Sequence, residues 1–137
     1  MGMLRVSYWT GAVVDALAAI LLLLPSTTSV WVFHGMRAEG PAMLTSLMAA
    51  VLMLGFSAVL LWADRDPMHR RGVLGCTFLV VGGLLIANLA AGFAGAVPWP
   101  QLAAPAVVQV ALLALFASAL GSAERHARHG RRLFAPR

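Results

Sequence analysis

The sequence contains no lysine, one cysteine and five acidic residues, and charged residues make up 11% of its 137 positions. Each scarcity excludes something. With Cys76 alone, an intramolecular disulfide, a C-x-x-C redox pair and a multi-cysteine metal site are impossible. A water-soluble domain carries about 25% charged residues, so a soluble globule is excluded as well. Histidines are absent from the apolar runs: His34, His69, His126 and His129 fall between or after them. Bis-histidine haem ligation and a buried histidine metal centre are therefore not expected, and no metal or cofactor is assigned. Neither a nucleophile–base pair nor a phosphate-cradling glycine loop is legible, so the sequence points to a protein that is not an enzyme, with no catalytic residue.

Apolar side chains fill the space the charges leave. Hydrophobic residues are 61% of the chain, and the mean hydropathy is +0.85. A helix needs about 20 mostly apolar residues to cross a hydrocarbon layer of about 30 Å. Four segments meet that standard, Val6–Leu24, Pro41–Ala63, Gly72–Val97 and Leu102–Leu120, each bounded by Pro, Gly or a polar cluster. The expected fold is all-α: a polytopic integral membrane protein built as an antiparallel bundle of four transmembrane helices, followed by a basic tail over 122–137. That tail is the segment expected to be mobile. A secretory signal at Arg5–Leu24 is the lesser reading, because no A-x-A-like cleavage site follows and Asp15 interrupts the stretch.

Orientation follows from the arginines. Nine of the ten fall on one side of the expected spans, Arg5, Arg65, Arg70, Arg71, Arg125, Arg128, Arg131, Arg132 and Arg137, and only Arg37 falls on the other. Short basic segments stay in the cytoplasm. Both termini and the Asp64–Arg71 hairpin are thus expected on the cytoplasmic side of the membrane, with the loops 25–40 and 98–101 outside. Tyr8, Trp9, Trp62 and Trp99 sit at segment ends, where amphipathic rings favour the headgroup layer. The net charge of +5 then reads as attraction to anionic lipid and not to nucleic acid. Arg125, Arg128, Arg131 and Arg132 are the expected lipid-facing basic residues.

Polar residues inside the spans are the candidate site. An acid near the middle of a spanning helix costs roughly 2.5–3.5 kcal/mol and faces protein or water. Asp15 is such an acid, with Gly11, Ala12, Ala18 and Ala19 three or four residues away, a face that lets another helix approach. At a rise of about 1.5 Å per residue, Asp15, Asn88 and Gln109 lie about 10–14 Å below the outer helix ends, with Ser46 slightly higher. Mutual hydrogen bonding would spare their polar groups the cost of meeting hydrocarbon. Gly83, Ala87, Ala91 and Gly95 recur every four residues and draw a smooth stripe suited to helix packing, with Asn88 on its border. The outer loop Val30–Glu39 reads first as a plain connector, and second as an apolar lid along the interface with His34, Arg37 and Glu39 above the polar level. Met43, Met48 and Met53 are five apart, a spacing that rotates about 140° per step and forms no copper-binding ladder.

The hairpin LLWADRDPMHRRGVL places Asp66 and Pro67 as N-cap and first-turn residues for the third helix, with Asp64 and Asp66 balancing Arg65, Arg70 and Arg71. This LLWADRxPxxRRxVL pattern resembles a family of small bacterial four-helix membrane proteins of uncharacterised activity; the similarity runs from about Gly55 to Leu74, with Asp15 and Pro25 also alike. It implies four spans and brings no site residue. By architecture the chain is also similar to small multidrug exporters, which have four spans and a carboxylate midway along the first. It departs from them in carrying Asp where they carry Glu, and in its strong charge bias. The function expected is non-enzymatic and works by packing, as an accessory subunit of a membrane complex or a binder of lipid or a small apolar ligand. Its partners would be membrane lipids, other membrane subunits or a second copy. The rival expectation is a small proton-coupled transporter using Asp15.

Overall fold

In this computed structural model residues 2–24 and 40–133 are described, with the backbone alone at 42 and 126–133. The described residues are all-helical. The elements are α1 (Gly2–Leu23), α2 (Pro41–Ala63), α3 (Arg71–Phe93) and α4 (Trp99–Leu133). All four are long and apolar enough to cross a membrane, so the chain is a multi-pass membrane protein. It divides into two compact units, one of Met1–Tyr8 with Ala63–Arg137 and one of Trp9–Trp62.

The first unit is built on the α3–α4 hairpin. Along α3, Leu74, Val81 and Asn88 are seven residues apart, and Gly92 follows a turn later; along α4, Leu102, Gln109, Phe116 and Ala123 keep the same spacing, with Leu112 and Ala119 between. All of these are buried except the half-buried Asn88 and Gln109. A seven-residue repeat keeps one seam in contact between two helices, as in a coiled coil. Outside the seam large aliphatic and aromatic side chains point away from the protein: Leu79, Ile86 and Phe93 are 72%, 69% and 81% exposed.

Helix ends differ from the sequence expectation for identifiable reasons. α3 stops at Phe93, four residues short of Val97, because Gly95 takes the left-handed conformation (φ 68°). There the Ala96 amide donates to the Ala91 carbonyl and the Gly95 amide to that of Gly92, each at 3.0 Å, closing a Schellman cap. α4 begins earlier than Leu102, at Trp99, whose ring meets Phe93 edge-on at 5.2 Å. Pro100 suits a first turn, which has no amide hydrogen bond to lose. At its other end α4 runs on to Leu133, so the stretch 122–133, expected to be mobile, continues the helix.

In the second unit, the buried face of α1 carries Gly11, Ala12 and Ala19, and α2 turns Ser46, Ala50, Ser57 and Leu60 onto one buried stripe. The Ser57 hydroxyl is shared between the carbonyls of Met53 (2.9 Å) and Ala12 (3.1 Å). A side chain as short as serine reaches a neighbouring backbone only where the helices approach closely, and Gly11 and Ala12 allow that.

Hydroxyls elsewhere bond within their own helices: Ser7 to Met3, Thr45 to Pro41, Thr77 to Val73, and Ser118 to Leu115. This keeps their donors satisfied where water is scarce.

Candidate functional site

The polar residues singled out in the spans fall in both units. In the first, Asn88 Nδ2 donates to Gln109 Oε1 at 2.9 Å across the α3–α4 seam. The depth argument that set these amides at one level therefore describes a real contact. In the second, Asp15 is half-buried on the same face of α1 as Gly11, Ala12 and Ala19, and Ser46 is buried in α2.

The small-residue stripe needs correction. Gly83 and Ala87 are exposed and Ala91 is half-buried, while Gly95 lies beyond the helix as its cap. The α3–α4 contact uses the neighbouring face, and its close approach is at Gly92. A Cβ built there would lie 2.9 Å from Leu102 Cδ1 and 3.1 Å from the Trp99 ring. Gly83 and Gly92 differ by nine residues, which turns them about 180° apart on a helix.

The hairpin 64–70 shows partners that sequence reading missed. Arg5 Nε lies 3.8 Å from Asp64 Oδ1. The Tyr8 hydroxyl donates to the Arg70 carbonyl at 3.0 Å. Tyr8 is fully buried, so it is a core residue of the first unit and not a headgroup ring. Trp9, Trp62 and Trp99, by contrast, are all exposed as an interfacial belt requires.

Asp66 does not cap α3, whose N-cap is Arg70 with no side-chain bond. Asp66 instead organises the separate turn before it. Its carbonyl accepts the Arg70 amide at 3.1 Å, and His69 Nδ1 sits 3.0 Å from both its carboxylate oxygens. The hydrogen bond from His69, and the nearby charge of Arg70, hold the Asp66 carboxyl below the usual carboxylate range. Arg5 is thus a partner of Asp64 from outside the hairpin, beyond the local balance expected.

Other expected positions are placed more simply. Arg125 is exposed near the end of the fourth span, and Arg128, Arg131 and Arg132 continue α4. His34, Arg37 and Glu39 lie outside the described residues. Among the described residues no group of His, Cys, Asp and Glu could hold a metal ion.

No protein-family model matches the chain, and no curated protein or solved structure matches it.

Proposed function

We propose that the chain is a non-enzymatic membrane protein of the bacterial inner membrane, with both termini cytoplasmic, that works through helix packing. It serves as an accessory subunit of a membrane complex or as a binder of lipid or a small apolar ligand. The observation that carries this reading is where the polar groups of the spans go. Asn88 is spent on Gln109 and Ser57 on the Ala12 carbonyl, both helix-to-helix contacts. Outward-facing Leu79, Ile86, Phe93, Val51, Leu52 and Val107 supply a surface suited to acyl chains or another apolar helix. Native mass spectrometry of the full chain from mild detergent tests it. Retained lipid, a second copy or a co-purifying membrane subunit is the expected result, and a monomer that is always empty overturns the reading.

One observation favours a second reading, a small proton-coupled transporter. Asp15 sits half-buried on the small-residue face of α1, next to the close approach at Ala12, and a carboxyl placed midway along a span is the kind of group that proton-coupled carriers use. Reconstituted protein and the Asp15→Asn variant, each challenged with the lipophilic cation tetraphenylphosphonium, separate the readings. Proton release from the parent alone supports transport, and equal traces remove it.

A further inference from the structure

Within the first unit, three stretches of chain distant in sequence bring arginines to one end. The Arg5–Asp64 pair and the Tyr8–Arg70 hydrogen bond hold the start of α1 against the hairpin. The register of α3 against α4 is fixed by Asn88 with Gln109, by Gly82 close to Leu113, and by Gly92 close to Leu102. Carried along the two antiparallel helices, one residue forward for one residue back, that register sets Arg71 level with roughly residues 123–126. Arg125 therefore joins Arg65 and Arg71 at the end where Arg5 is anchored.

Three acids lie at this end: Asp64 faces Arg5, Asp66 is turned to His69, and Glu124 precedes Arg125 on the exposed end of α4. Against them stand Arg5, Arg65, Arg70, Arg71 and Arg125, so positive charge is in excess. Arg65, Arg71 and Arg125 make no ion pair among the described residues. These three guanidinium groups, without carboxylate partners among the described residues, lie where the apolar spans finish, the depth at which lipid headgroups lie.

We propose that this end of the first unit, formed by Arg65, Arg71 and Arg125, binds the phosphate of an anionic phospholipid headgroup. A guanidinium offers a planar fork of N–H donors that matches two phosphate oxygens. A zwitterionic headgroup presents the same phosphate with a cation attached, so the excess positive charge here selects lipids such as phosphatidylglycerol. The inference deepens the packing and lipid-binding reading above and rests on it.

The test uses the full chain in mild detergent at physiological salt, with phosphatidylglycerol and phosphatidylcholine offered in equal amounts and retention read by native mass spectrometry. Each basic residue beside anionic lipid contributes roughly a fivefold preference. The Arg65→Gln/Arg71→Gln/Arg125→Gln variant should lose at least about tenfold of the phosphatidylglycerol preference, whereas the triple lysine variant should keep most of it. Should the triple glutamine variant misfold, the single variants Arg65→Gln and Arg125→Gln should each show a smaller, graded loss.

An Arg128→Gln/Arg131→Gln/Arg132→Gln variant should change the preference less than the hairpin set; the reverse order overturns the assignment. Inorganic phosphate and glycerol 3-phosphate should compete poorly. Displacement of the lipid by either at equal concentration makes this a soluble-anion site and overturns the lipid source. Retention of both lipids without preference overturns this inference alone, while a chain that retains no lipid and no partner overturns the reading beneath it.

Discussion

Asn88 and Gln109 make the sharpest prediction, because their 2.9 Å hydrogen bond is a polar layer in an otherwise apolar seam. Asn88→Leu leaves the Gln109 amide facing a leucine. An amide stranded in this way costs about 1–3 kcal/mol, and partial exposure of the pair puts the expected loss near the lower end, about 1 kcal/mol. Gln109→Leu should cost a similar amount. The double variant strands nothing and extends the Leu and Val seam, so it should be no less stable than either single variant. Non-additivity of about 1 kcal/mol follows, a factor of about five in the unfolding equilibrium, at the upper side of measured interhelical hydrogen bonds, which average about 0.6 kcal/mol. Steric trapping in bicelles measures all four forms. The apolar double variant should also lose register, because a buried polar pair disfavours slipped alignments. Cysteines placed at Gly82 and Leu113, in a Cys76→Ser background, should cross-link in the parent and less completely in the double variant. Additive single losses, with coupling near zero, refute the reasoning.

Four further outcomes follow from local geometry. Gly92→Ala should be near neutral, since a gain of about 1 kcal/mol in helix propensity offsets the shift of Leu102 and Trp99, whereas Gly92→Leu should loosen the α3–α4 pair by about 1–3 kcal/mol on the same assay. Gly95→Ala forces an L-residue into the left-handed region and should cost about 1 kcal/mol, seen as a lower midpoint in denaturant titration. Tyr8→Phe keeps the ring and removes its bond to the Arg70 carbonyl, which should cost about 0.5–1.5 kcal/mol and speed amide exchange in the hairpin. Asp66 has a depressed pKa in the folded chain, so its contribution is present above the usual carboxylate range and is lost as pH falls through its folded value. The Asp66→Asn variant should show a shallower acid-side decline in stability than the parent, and identical pH profiles would sink the linkage.

The parts of this architecture legible in the sequence were those governed by one solvent rule. Hydrocarbon demands long apolar helices and satisfied polar groups, so the four spans and the Asn88–Gln109 level could be found by counting residues. Asp15 lies on the buried face of α1 for the reason its small neighbours suggested. What failed needed knowledge of a partner. A four-residue recurrence from Gly83 to Gly95 looks the same whether the last glycine packs or caps, and only the left-handed turn at Gly95 decides. Tyr8 has the same side chain in a headgroup layer as under a hairpin; its burial depends on a carbonyl 62 positions away. The ion pair of Asp64 with Arg5 joins residues 59 positions apart and cannot be read from local sequence. The usable signal there was orientation, which already set Arg5 on the hairpin's side.

The length of α4 changes what its final arginines can reach. Its 35 residues extend about 52 Å at about 1.5 Å each, well beyond a hydrocarbon layer of about 30 Å. A flexible tail could fold its charges back onto the headgroups at will. A helix holds them at fixed heights. Measured along the axis from Arg125, position 128 is about 4.5 Å further out and position 132 about 10 Å. The Debye length at physiological salt is about 8 Å. On a straight α4 aligned with the membrane normal, positions 131 and 132 therefore stand beyond the distance over which headgroup charge is strongly felt, while position 125 stands within it.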